Sequence, residues 1–119
     1  MNRLAHERSR RREDLVALAS RYADRVSSRF APATVLLYGS VARGDFNIWS
    51  DVDVLVISDA LPHDPLVRTK RLYECVYAGI EPKGLTLNEY KKAKAEGHPF
   101  VRELAEHAIV LRDDLKLEK

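Results

Sequence analysis

The chain predicts an α/β (α+β) fold, a small mixed β-sheet flanked by helices, on three observations. Apolar residues recur at helical spacing ahead of residue 30, β-branched segments follow at 34–38 and 51–57, and Asp64-Pro65 then opens another helical pattern. The order helix, strand, strand, helix, strand, helices places the helices, in this reading, on one side of the sheet. Leu15, Leu18, Ala19, Tyr22 and Val26 define an amphipathic helix from about residue 6 to 29, ended by Pro32. Thr34 to Tyr38 reads as a buried strand, broken by Gly39-Ser40; Val41 to Arg43 makes one helical turn closed by Gly44, and Asn47 to Ser50 is a loop. In the strand Asp51 to Ile57, Val52, Val54 and Val56 share one face and Asp51, Asp53, Leu55 and Ile57 the other. Asp64 caps a helix with Pro65 at its first position, and Leu66, Leu72, Tyr73, Val76 and Tyr77 form its apolar side. A third strand spans Gly79 to Thr86, Asn88 caps a helix that ends at Gly97, Pro99 opens another through about His107, and Ala108 to Leu111 forms a last strand. The charged tail from Arg112 is expected to fray.

With 119 residues the chain fits a single domain, 1–119, with the helix ahead of a core at about 33–111. It is 45% apolar and 32% charged, the composition of a folded, soluble protein. One cysteine, Cys75, excludes an internal disulfide and any Cys-based zinc cluster. No apolar run approaches a membrane span and no apolar signal region opens the chain, so a reducing, cytoplasmic location is expected. A net charge of +2 argues against wholesale coating of nucleic acid. The distribution is more telling: residues 1–30 hold eight arginines against four acids, and residues 45–64 hold five aspartates and no Lys or Arg.

Chemistry concentrates in Tyr38-Gly39-Ser40-Val41-Ala42-Arg43-Gly44-Asp45 and in Ser50-Asp51-Val52-Asp53-Val54. Aspartates at i and i+2 on a strand lie about 6.6 Å apart on one face. Their mutual repulsion makes joint burial costly without a cation, and hard divalent ions such as Mg²⁺ take oxygen ligands and share substrate phosphates. Gly-Ser after a strand, opening a helical turn, offers backbone N–H groups to an anion. An Asp-x-Asp or a Gly-Ser standing alone is ordinarily a strand entry or a turn. At ordinary residue usage, though, Gly-Ser, ten residues, then Asp-x-Asp arises by chance in about 2 of 1,000 chains this long, so the pair reads as the apparatus of phosphoryl or nucleotidyl transfer.

At these residues the chain resembles the DNA polymerase beta nucleotidyltransferase superfamily; Arg43-Gly44-Asp45 and Ser50 resemble its minimal nucleotidyltransferase (MNT) branch. The resemblance covers roughly residues 10 to 111. It implies a short mixed sheet, two Mg²⁺ ions, and transfer of a nucleoside monophosphate from an NTP, ATP by expectation, to a hydroxyl with release of pyrophosphate. Several such minimal proteins are partners of a small helical HEPN-domain protein, sometimes as the antitoxin that adenylylates it, so the resemblance implies a partner of that type or a homo-oligomer. By the same resemblance Asp51 and Asp53 are the metal-binding carboxylates, Gly39 and Ser40 hold the triphosphate, and Arg43 is a basic position beside it. The third carboxylate falls on Glu81, as metal ligand and proton acceptor. Many members carry Asp there, and Pro82 directly after it suits an edge strand rather than a central one.

The remaining residues have plainer expectations. Arg8, Arg10, Arg11 and Arg12 form a solvated helix face with Glu7, Glu13 and Asp14, contact with RNA, DNA or an acidic partner being the alternative. Arg68, Lys70, Arg71 and Lys83 sit on the surface or reach a triphosphate. Trp49 packs its loop on the core or stacks on a base. Tyr22, Tyr73 and Tyr77 fill helix core faces, Asp45 anchors a turn, and His6, His63, His98 and His107 show no ligand spacing. With no second domain to shape an acceptor site, a protein acceptor, a partner or a second copy of the chain is expected to complete it. The alternative is a non-catalytic nucleotide-binding or partner-neutralising module with the same fold.

Overall fold

The computed structural model of the chain describes residues 2–117. Its elements run α1 (Arg3–Phe30), β1 (Thr34–Tyr38), α2 (Ser40–Arg43), β2 (Val52–Ile57), α3 (Pro65–Tyr73), β3 (Ile80–Leu85), α4 (Leu87–Ala95), α5 (Pro99–His107) and β4 (Ile109–Asp113). The sheet order is β3-β2-β1-β4. β1 pairs antiparallel with β2 and β4, and β2 pairs parallel with β3 through the crossover helix α3. Pro82, without an N–H to give, lies on β3 at the sheet edge, where its missing donor costs least.

Helices cover both faces of the sheet, not one. Val35, Leu37, Val52, Val54 and Val56 pack with Leu15, Ala19, Tyr22 and Val26 of α1 and Leu72 of α3. The opposite residues of the same strands, Leu36, Leu55 and Ile57, pack with Tyr90, Val101 and Leu104 of α4 and α5. The cause is the period of two: β1 and β2 are apolar on both sides, so each face needs its own cover.

Several local expectations are corrected. α1 begins at Arg3, because the Asn2 side chain accepts from the Ala5 N–H at 2.8 Å. On α3, Leu72 is buried but Leu66 and Tyr73 are exposed, and Val76 and Tyr77 follow the helix, packing against the core from a loop. Thr86, not Asn88, caps α4: its hydroxyl accepts from the Glu89 N–H while the Glu89 carboxylate accepts from the Thr86 N–H. From Arg112 to Leu117 the described chain does not fray: β4 runs to Asp113, whose carboxylate accepts from the Thr34 hydroxyl at 2.8 Å, and Asp114 accepts from the Ala33 N–H at 3.0 Å; residues 118–119 of the expected tail lie outside the described residues.

Arg68, expected at the surface, is 4% exposed. Its guanidinium donates to the carbonyls of Pro62, His63 and Gly84 and to Glu89, tying α3, β3 and α4 together. Gly84 makes room for this knot, since a Cβ there would lie 2.8 Å from Leu72 and 2.9 Å from Arg68. Among the described residues no helix is long and apolar enough to cross a membrane.

Candidate active site

Strand register assembles the carboxylates. Tyr38 of β1 stands opposite Asp53 of β2, and Asp53 opposite Glu81 of β3, so the three side chains form one row across the sheet. The row lies on the α4/α5 face, at the end where β1 gives way to the Gly39–Ser40 turn. Asp51, one step before β2, reaches Glu81: a hydrogen bond between them leads the causes that raise the Glu81 carboxyl above its usual range, followed by burial and by the charges of Asp51 and Asp53. Asp53 is also raised, by burial first and the neighbouring Asp51 charge second, with Arg43 working against both. Among the described residues no group of three or more His, Cys, Asp or Glu side chains is already arranged to hold a metal ion. The donors themselves suit a hard divalent cation: all are carboxylate oxygens, and burial together with neighbouring negative charge raises the carboxyls of Asp53 and Glu81.

Gly39 sits at φ +79°, ψ −155°, and an added Cβ would lie 2.3 Å from Asp53 Oδ2. The Asp53 carboxylate thus rests against the Gly39 backbone, an approach that any side chain would block. α2 starts at once, at Ser40, so the N–H groups of its first turn have no partner within the helix. The left-handed Gly44, φ +94°, closes the turn as expected.

Arg43 is clamped at two edges. Its Nε donates to Asp45 Oδ2 at 3.2 Å and its Nη1 donates to Glu103 of α5. Asp45 is therefore the turn anchor it was expected to be. Two of the N-terminal arginines are not a solvated face: Arg12 donates to the carbonyls of Val41 and Ala42 at 2.9 and 2.7 Å, and Arg8 to those of Gly44 and Phe46. They fasten α1 to the turn that follows β1. Trp49 does not pack on the core; it is 85% exposed. Lys83 places its ammonium 4.7 Å from the centre of the Phe100 ring, which meets Tyr38 edge-on at 5.1 Å.

Two residues beside the carboxylates were given no role from the sequence. Tyr38, taken only as the end of a strand, has its phenol pushed up to about 12 by burial first and then by Asp53, Glu81 and Glu103. Register alone reveals its place, since it pairs with Asp53. Glu103 lies 60 residues beyond Arg43 on another helix, and no spacing rule links the two.

The model of the nucleotidyltransferase domain family matches residues 19–112. Among solved structures, a protein of Sulfolobus solfataricus described as a "putative nucleotidyltransferase" shares the fold, with a TM-score of 0.65 and 20% identity over 92% of this chain and 87% of that one. No curated protein matches the chain. The family match runs from the middle of α1 to β4 and takes in the Gly39–Ser40 turn and every acid of the cleft, so the chain belongs to the nucleotidyltransferase domain family.

Proposed function

We propose that the protein transfers a nucleoside monophosphate, AMP from ATP, to a hydroxyl on a partner protein, with Mg²⁺ as cofactor. The observation that carries this reading is the cross-strand row of Asp53 and Glu81, set against the Gly39 backbone. Asp51, Asp53 and Glu81 would hold magnesium, whose chemistry there is to stabilise charge on the phosphoryl oxygens. The first-turn N–H groups of α2 and the Ser40 hydroxyl hold the β and γ phosphates, and Arg43 adds a fixed positive charge beside them. The acceptor oxygen bonds to the α-phosphorus as the bond to pyrophosphate breaks. Its proton passes to the Glu81 carboxylate, which the strand register sets beside Asp53. The partner fits the HEPN-type helical toxin of an antitoxin pair, which would supply the acceptor surface this domain does not build. A buried, unpaired Cys75 suits the reducing cytoplasm.

The alternative reading is a nucleotide-binding or partner-neutralising module without turnover. Calorimetric titration of ATP with Mg²⁺ into wild type and Asp53→Asn separates the readings, followed by transfer of label from α-labelled ATP. Metal-dependent binding lost in the variant, with label transferred to a partner, is the expected result. A folded wild type that binds no ATP with Mg²⁺ sinks the enzyme reading. ATP binding without label transfer to any partner leaves the module.

A further inference from the structure

The turn at residues 47–50 is built to hold two apolar side chains out in water. The Asn47 N–H donates to Ser50 Oγ at 2.9 Å, the Trp49 N–H donates to Asn47 Oδ1 at 2.8 Å, and the Ser50 N–H donates to the Asn47 carbonyl at 3.0 Å. Between those anchors Ile48 and Trp49 are 82% and 85% exposed, and Leu4 of α1, on the same groove of about 550 Å³, is 77% exposed. Phe46 supports the groove, with the Arg8 guanidinium 4.4 Å from its ring centre and bonded to the Phe46 carbonyl. Each apolar side chain left in water forgoes roughly 1.5–3 kcal/mol of burial, and a cluster of them marks an interaction site.

The charge around the groove identifies what fits it. Residues 3–12 hold five arginines and one glutamate. Glu7 neutralises Arg3, but Arg8 and Arg12 spend their donors on carbonyls, which leave the positive charge uncompensated. The Arg11 side chain, on the groove, makes no ion pair or hydrogen bond among the described residues. We infer that the groove docks an acidic amphipathic helix of a partner protein, its apolar side on Leu4, Ile48 and Trp49 and its carboxylates toward Arg8 and Arg11. A second copy of the chain would bring the same arginines against themselves. A nucleic acid would find one aromatic ring where stacking platforms use several, and two aliphatic side chains that offer no stacking face.

The docked helix would lie beside the chemistry. A second groove of about 500 Å³ shares Ile48, Trp49 and Arg11 with the first and continues to Ser50 and Asp51. A hydroxyl carried by the docked partner would thereby come beside Asp51; this delivery rests on the transferase reading above, whereas the docking does not.

Trp49 is the chain's one tryptophan, so its fluorescence reports on this groove directly. The probe is a synthetic amphipathic peptide, about five helical turns long, with Glu on one face and Leu on the other, titrated without nucleotide. The expected result is a blue shift of Trp49 emission, weakened by salt, with affinity falling at least ~10-fold in Leu4→Ser/Ile48→Ser and in Arg11→Glu. No shift with the peptide overturns the inference. So does a tighter response to a single-stranded oligonucleotide, or a shift that grows with protein concentration alone. Titrating ATP with Mg²⁺ into Leu4→Ser/Ile48→Ser separates this result from the transferase reading. Peptide binding without ATP binding by wild type keeps the docking and removes the delivery, and ATP binding without a peptide response removes the docking alone.

Discussion

Asp53 and Glu81 hold their protons more tightly in the fold than in the unfolded chain, and this fixes a sign. A raised carboxyl favours folding below the unfolded carboxylate range, and that contribution is lost as pH rises through the folded value. At neutral pH the metal-free protein therefore carries buried carboxylate charge together with repulsion from Asp51. Asp53→Asn is expected to raise the melting temperature at pH 7 in EDTA by about 2–4 °C, with the gain shrinking toward acid pH. Mg²⁺ should stabilise wild type and leave the variant unmoved. Thermal unfolding across pH, with and without Mg²⁺, checks all three, and a variant less stable than wild type at pH 7 contradicts the repulsion. Gly39→Ala makes the opposite case. Its Cβ would meet Asp53 Oδ2 at 2.3 Å from a left-handed backbone, so we expect about 1–2 kcal/mol of lost stability and, in calorimetry, loss of ATP binding.

Among the elements, α4 is the one whose start is most completely specified. The Thr86–Glu89 box satisfies two N–H groups, and the same Glu89 Oε1 accepts from Arg68 at 2.9 Å, so the cap also ties α4 to α3. These bonds hold the Glu89 carboxyl below its ordinary range, with the Thr86 backbone first among the causes, so its stabilisation is present above that range and lost as pH falls through the folded value. Thr86→Ala should cost about 1 kcal/mol in denaturant unfolding and leave ATP affinity unchanged, because α4 supplies no residue to the carboxylate row. A several-fold change in ATP affinity would show that α4 does shape the cleft.

For the whole molecule, the two-sided sheet makes the C-terminal strand a structural member. β4 completes the sheet beside β1, and Asp113 and Asp114 lock onto Thr34 and Ala33 at the other end of β1 from Gly39. Removing residues 112–119 takes out both side-chain anchors. At about 1 kcal/mol per hydrogen bond, with those to charged groups stronger, we expect a loss of about 2–4 kcal/mol, read by chemical denaturation. A truncated chain as stable as the full one would mean that β4 merely covers an edge.

Short-range chemistry was legible in the residue order. Alternation marked β2, Asp64-Pro65 marked the start of α3, and Gly39-Ser40 with Asp51-Val52-Asp53 marked the cleft, because each signal lies within a few residues and obeys backbone periodicity. Pro82 even pointed to the sheet edge. What escaped depends on partners far along the chain. Arg68 is buried because carbonyls of Pro62, His63 and Gly84 converge on it, Glu103 meets Arg43 from another helix, and Tyr38 joins the acids only through strand register. Trp49 stands in water because hydrogen bonds of its own turn hold it there, against the ordinary pull of an aromatic ring toward the core. Local pattern specifies which way a side chain leaves the backbone; what waits for it there is set by packing between distant segments.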